Sequence, residues 1–173
     1  ILGSAERPVI ICGQGVLISQ AWGEVQELAE LYAVPVGTTI NGKGAFPEKH
    51  PLSLGVTGAR GGTTLSNRVL SEADAIFYIG CSTDSAGTDS WSLPPLDTKA
   101  RVIHLDISEA DVGNVYLTEV ILIGDAKATL LVMIQSSKLM KKQYVDHPRI
   151  KALVKDFEEY QDYVSEHSSS TES

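Results

Sequence analysis

Apolar residues in this chain fall into short unbroken runs that alternate with stretches of helical periodicity. Residues 8–12 (Pro-Val-Ile-Ile-Cys) form one such run, which stops at Gly13-Gln14-Gly15. A continuous apolar run of this length suits a strand buried on both faces of a parallel sheet. Over about 20–33, Ala21, Val25, Leu28 and Tyr32 recur every three to four residues while Glu24, Glu27 and Glu30 take other faces, which predicts a helix. Pro35 cannot continue it, and Val34 to Thr38 reads as a second strand. Residues 40–62 then read as a long Gly/Pro-punctuated loop, of a length that is usually functional. A helix near 63–72 leads into the run Ala75 to Ile79, ended by Gly80, and a second loop follows over 81–98. Arg101 to Ile107 and Glu119 to Ile123 are two further strands, and Asp125 stands where it can cap a helix running to about 135. Strands and helices in alternation predict an α/β domain with an open, doubly wound parallel sheet of five to six strands, related to the dinucleotide-binding folds.

After about residue 137 the pattern changes. Lys138 to Lys142 reads as a basic linker, and Pro148 opens a helix of about 148–164. Ile150, Leu153, Val154, Phe157, Tyr160 and Val164 form one apolar stripe, to be covered by the domain's own layers or by another domain. The Ser-rich end, 168–173, predicts a disordered tail. The division expected is therefore a domain over 1–137 and an appended segment over 138–173.

Charge narrows the choice of partner. The 173 residues carry 14 Lys+Arg against 22 Asp+Glu, a formal charge of −8. An acidic surface repels nucleic-acid phosphates and anionic lipid, and no apolar run approaches the ~20 residues that span a bilayer, so neither partner is expected. Two cysteines, Cys12 and Cys81, make no disulfide framework and no four-ligand zinc site, which fits a reducing cytoplasm. The first residue is Ile and no charged-then-apolar leader follows, as expected of an excised piece.

Candidate chemistry gathers at strand ends. Gly13-Gln14-Gly15 follows the first strand, where a dinucleotide fold lets phosphate approach the backbone. The third glycine of that fingerprint would fall at Ile18, and Thr38-Thr39 stands where an acidic residue is expected at the end of the second strand. The two glycines are equally consistent with a tight strand-to-helix turn. Asp106 ends a strand, where it suits either a ribose or adenine contact or a helix cap; Asp125 reads foremost as a cap. The spacing of His50, His104, His147 and His167 suits neither zinc nor a catalytic dyad.

The segment Asn41-Gly42-Lys43-Gly44-Ala45-Phe46-Pro47-Glu48-Lys49-His50-Pro51-Leu52, with Gly55 and Gly58 beyond it, is more specific. Together with Arg7 to Gly15, Ala73 to Gly80, Ile103 to Ile107 and Gly124-Asp125, it resembles the central domain of thiamine-diphosphate-dependent enzymes of the acetolactate synthase, pyruvate oxidase and benzoylformate decarboxylase type. The resemblance runs in order over roughly 6–135 and implies a parent enzyme acting on a 2-oxo acid. It implies neighbouring domains that hold thiamine diphosphate and Mg²⁺, and a homo-oligomer. This segment then carries no catalytic residue and no metal ligand, and serves as scaffold. Some members bind FAD or ADP across the strand ends. The positions matching that pocket are Gly13, Gln14, Gly15, Thr38, Thr39, Ile40, Gly55, Val56, Thr57, Gly58, Gly80, Asp106, Gly124 and Asp125. Where flavin-binding synthases continue with two arginines after the third of these motifs, this chain has Cys81-Ser82-Thr83-Asp84-Ser85-Ala86. That departure argues against FAD and leaves ADP, a CoA-like ligand or an empty pocket. The rival readings are a free-standing adenine-nucleotide or electron-transfer module and a pure interaction domain.

Overall fold

The computed structural model describes residues 1–139 and 148–168. Six parallel strands form one sheet in the order β3-β2-β1-β4-β5-β6. They are β1 (Pro8–Cys12), β2 (Val36–Thr38), β3 (Ser53–Val56), β4 (Ala75–Ile79), β5 (Arg101–Asp106) and β6 (Thr118–Ile123). The helices are α1 (Gln14–Ile18), α2 (Trp22–Tyr32), α3 (Thr64–Ser71), α4 (Ala126–Leu139) and α5 (Pro148–Ser168). This is the doubly wound order in which the chain reverses direction between β1 and β4, and ligands in such folds bind beyond the strand ends at that reversal. The strand missing from a reading of five is β3, inside what the sequence presents as a loop. Its pattern Ser-Leu-Gly-Val is too short and too broken by Gly55 to register as a strand until it pairs with β2.

Burial follows position in the sheet. All five residues of β1 and of β4 are buried, as befits central strands covered on both faces. At the edge, β6 alternates, with Glu119, Ile121 and Ile123 exposed. Register with β5 puts Ile121 beside His104 and Ile123 beside Asp106, while Val120 and Leu122 share the other face with Ile103 and Leu105. Helices α2 and α4 run side by side, joined by Tyr32 Oη–Ser137 Oγ at 2.6 Å and by the ion pairs Lys127–Glu24 and Lys138–Glu27. Right-handed crossovers send the later connections over the opposite face. There the loops 80–100 and 107–117 take the place of helices over β4 and β5.

Those loops need anchors, and His104 supplies one. Its Nδ1 accepts the Gly113 N–H at 3.3 Å, so Nε2 carries the proton and donates to Cys81 O at 2.8 Å. The ring is 2% exposed, and burial lowers its pKa against the opposing pull of Asp106 and Asp111. Tyr116 closes the same layer, stacking on Tyr78 and donating to Pro94 O.

The apolar stripe after Pro148 divides. Leu153 is buried against the core and Asp156 pairs with Arg68 of α3 at 3.0 Å, so the first half of α5 docks on the domain's own body. Tyr163 and Val164, farther along, are exposed. Helix α4 also runs on to Leu139, past the expected end near 135. The rest of the basic linker and the tail beyond 168 lie outside the described residues.

Candidate functional site

The turn after β1 meets the end of β4 with no room for side chains. A methyl group on Gly13 would lie 2.0 Å from Gly80 O, and one on Gly15 would lie 2.6 Å from Gly80 Cα. Gly80 itself has φ +56, in the left-handed region that glycine tolerates. The backbone of this turn is already engaged: Gly13 N–H donates to Ile79 O at 2.9 Å, Gly15 N–H to Gly80 O at 3.0 Å and Val16 N–H to Gly13 O at 3.3 Å. The second anchor of the junction is Gly42, whose Cβ would fall 2.2 Å from Cys12 O. Thr39 N–H donates to that same carbonyl, and Thr39 Oγ1 accepts the Gly42 N–H, starting a single 3₁₀ turn over Ile40–Gly42.

The rest of the Gly-Lys-Gly to His-Pro-Leu run is likewise held in place by internal bonds. His50 Nδ1 accepts the Leu52 N–H, leaving Nε2 to face Glu30 of α2 at 3.1 Å, and Phe46 packs edge-on against the ring. This run ties the β2–β3 connection to α2. Its specificity in sequence reflects close backbone approaches and turn bonds.

Above the glycine junction lies an open cleft with about 340 Å³ of free space. Of the residues that the sequence nominates, Gly13, Gln14, Gly15, Thr39, Ile40, Gly80 and Asp106 line it. Gly124 and Asp125 line a smaller apolar notch that shares Gly15, Ile18, Gly80, Asp106 and Ile107 with the cleft. Thr38 is buried in β2, where its carbonyl accepts the Thr57 N–H and hydroxyl. Gly55, Val56, Thr57 and Gly58 do not line the cleft: Gly55 and Val56 belong to β3, and Gly58 packs against Gly87 O and exchanges hydrogen bonds with Asn67.

The two nominated carboxylates are both engaged. Asp125 caps α4 through Ala128 N–H at 2.9 Å and accepts the Ser19 hydroxyl at 2.7 Å, and these bonds hold its pKa below the usual carboxylate value. Asp106 Oδ1 accepts the Ser108 N–H. Two more carboxylates line the cleft, Asp84 and Asp111, and the sequence reading missed both. Their signal was position: each lies in a loop that leaves the carboxyl end of a central strand. Cys12 and Cys81 are free and buried; burial raises both pKa values, that of Cys81 to about 12, so neither is a nucleophile at neutral pH.

The family model described as "Thiamine pyrophosphate enzyme, central domain" matches residues 1–133. The chain belongs to this family of central domains. It is 41% identical over 131 residues to a probable acetolactate synthase large subunit of Methanocaldococcus jannaschii, covering 75% of this chain and 22% of that protein. It is 32% identical over 146 residues to the acetolactate synthase large subunit of Corynebacterium glutamicum, covering 84% and 23%. Over 142 residues it is 32% identical to glyoxylate carboligase of Escherichia coli O157:H7, covering 82% and 24%. The chain thus spans less than a quarter of the length of these relatives.

Among the described residues of this central domain, no group of three or more His, Cys, Asp or Glu is placed to hold a metal ion. No described helix is long and apolar enough to cross a membrane.

Proposed function

We propose that this central domain is a non-catalytic scaffold of a thiamine-diphosphate-dependent enzyme acting on a 2-oxo acid, of the acetolactate synthase or glyoxylate carboligase kind. The observation that carries the reading is the match of residues 1–133 to the central-domain family, with the aligned stretch covering 22% and 23% of two acetolactate synthase relatives. In this reading thiamine diphosphate and Mg²⁺ sit in other domains of the parent enzyme. Residues 1–137 form the central unit, against which the first half of α5 docks. The parent is a homo-oligomer in the cytoplasm, a setting that two free buried thiols suit.

A scaffold must offer surface to its neighbours, and the β6 edge does so. Leu117 is 95% exposed, Ile107 75%, and Ile121 and Ile123 54% each. Ile121 and Ile123 lie on the face that the loops cover over β4 and β5 and leave open here. Apolar residues gathered in this way mark contact surfaces.

Calorimetry of this chain with thiamine diphosphate and Mg²⁺ tests the assignment: no heat of binding is expected, and micromolar affinity would overturn it. Sedimentation tests the contact role separately. The isolated chain should self-associate through the β6 edge, and Ile121→Glu should reduce the association; a strict monomer at high concentration would count against the role.

A further inference from the structure

Adenine nucleotides are the ligands that the resemblance implies for the strand-end cleft, and the cleft as built does not suit them. We infer that it excludes diphosphate-bearing ligands, and that Asp84, Asp106 and Asp111 set the exclusion. Three observations converge. These three carboxylates line the cleft and no lysine or arginine does. A diphosphate carries at least two negative charges, and in a volume of about 340 Å³ it would lie within a Debye length, about 8 Å at physiological salt, of the carboxylates around it. Two of the backbone donors at the turn are already used: Gly15 N–H and Val16 N–H are bonded within the glycine junction. Helix α1 has only five residues, so its dipole offers little to an anion.

The glycines supply the third observation. In a dinucleotide site their lack of a side chain lets phosphate reach the backbone. Here the space that a Cβ would fill at Gly13, Gly15 and Gly80 is taken by the facing backbone, so these glycines serve chain-to-chain packing. The sequence motif survives as architecture while the charge around it opposes the ligand. The inference goes beyond the scaffold reading and does not depend on it, since a scaffold with or without a nucleotide remains a scaffold.

The test titrates ADP and FAD into the full chain by calorimetry, at low and at high salt. The native chain should not saturate with either ligand up to millimolar concentration. The variant Asp84→Asn/Asp106→Asn/Asp111→Asn with Ser82→Arg should bind ADP about tenfold tighter or more, with affinity that falls as salt rises. Asparagine keeps an acceptor for the Gly87 and Ser108 N–H groups that Asp84 and Asp106 now bind, and Ser82 is exposed. If circular dichroism shows the fourfold variant unfolded, Asp111→Asn/Ser82→Arg leaves both of those bonds untouched and should move affinity in the same direction. Native saturation at micromolar ADP or FAD overturns the inference. So does a folded variant that shows no gain.

Discussion

At the carboxyl edge of the sheet, two adjacent regions draw on the same loops in opposite ways. The glycine junction of Gly13, Gly15, Gly42 and Gly80 is closed: backbone rests on backbone, and Gly13, Gly15 and Gly42 each donate their N–H to a neighbouring carbonyl. The cleft beside it is open and lined with Asp84, Asp106 and Asp111. One region tolerates no added atom, whereas the other has space but repels anions. The difference separates two things that a motif can encode. Here the glycines encode a way for strands and turns to meet, and the carboxylates that line the cleft stand outside the glycine motif, at the end of β5 and on two loops.

Substitution should expose that contrast. Gly80→Ala places a methyl 2.6 Å from Gly15 Cα in a backbone with φ +56, so overpacking and strain act together. The expected loss exceeds about 3 kcal/mol and includes failure to fold; urea denaturation measures it. Outside the junction, Leu153→Ala should cost about 2 kcal/mol or more, because it removes a buried anchor of α5. Its signature is faster hydrogen exchange over 148–168 while the sheet stays protected. An Asp111→Asn change should alter stability by less than about 0.5 kcal/mol, since the side chain lines an open cleft and the amide keeps its shape. If Gly80→Ala proved as mild as Asp111→Asn, the junction would not be the rigid element described.

Proton uptake sharpens the comparison, with a smaller expected effect on stability at neutral pH. His104 holds the loops that carry Cys81, Asp111 and Gly113, and its folded pKa is lowered from an ordinary value of about 6.5. The unfolded chain therefore binds the proton first as pH falls. The histidine's contribution is complete above about pH 6.5 and declines below it, until the folded ring also protonates. Asp106 and Asp111 face the ring and partly oppose the shift. Thermal unfolding from pH 8 to pH 5 should show a steeper loss for the native chain than for His104→Gln, and equal slopes would remove His104 as the anchor.

Much of the architecture was legible because it is local. Continuous apolar runs ending in glycine or a polar turn marked β1, β4 and β5, and three-to-four-residue spacing marked α2. Asp125 stood where a cap belongs and is one. What escaped was what pairing creates. Strand β3 becomes a strand only through its register with β2, and the five-residue helix α1, ahead of the helix expected from about residue 20, is too short for apolar spacing to mark. Asp84 and Asp111 have no spacing that singles them out, because two different crossovers bring them together.

By itself the sequence determined the alternation of elements, the acidic balance and the family, since each depends on residues near one another in the chain or on motifs in order. Only the tertiary structure decided what the glycines and carboxylates do. Whether Gly13 faces a phosphate or the Gly80 carbonyl depends on how closely β1 and β4 pair, and the charge of a cleft is a sum over loops that meet only when the sheet closes. These are properties of distance in space, and local propensity carries no information about them.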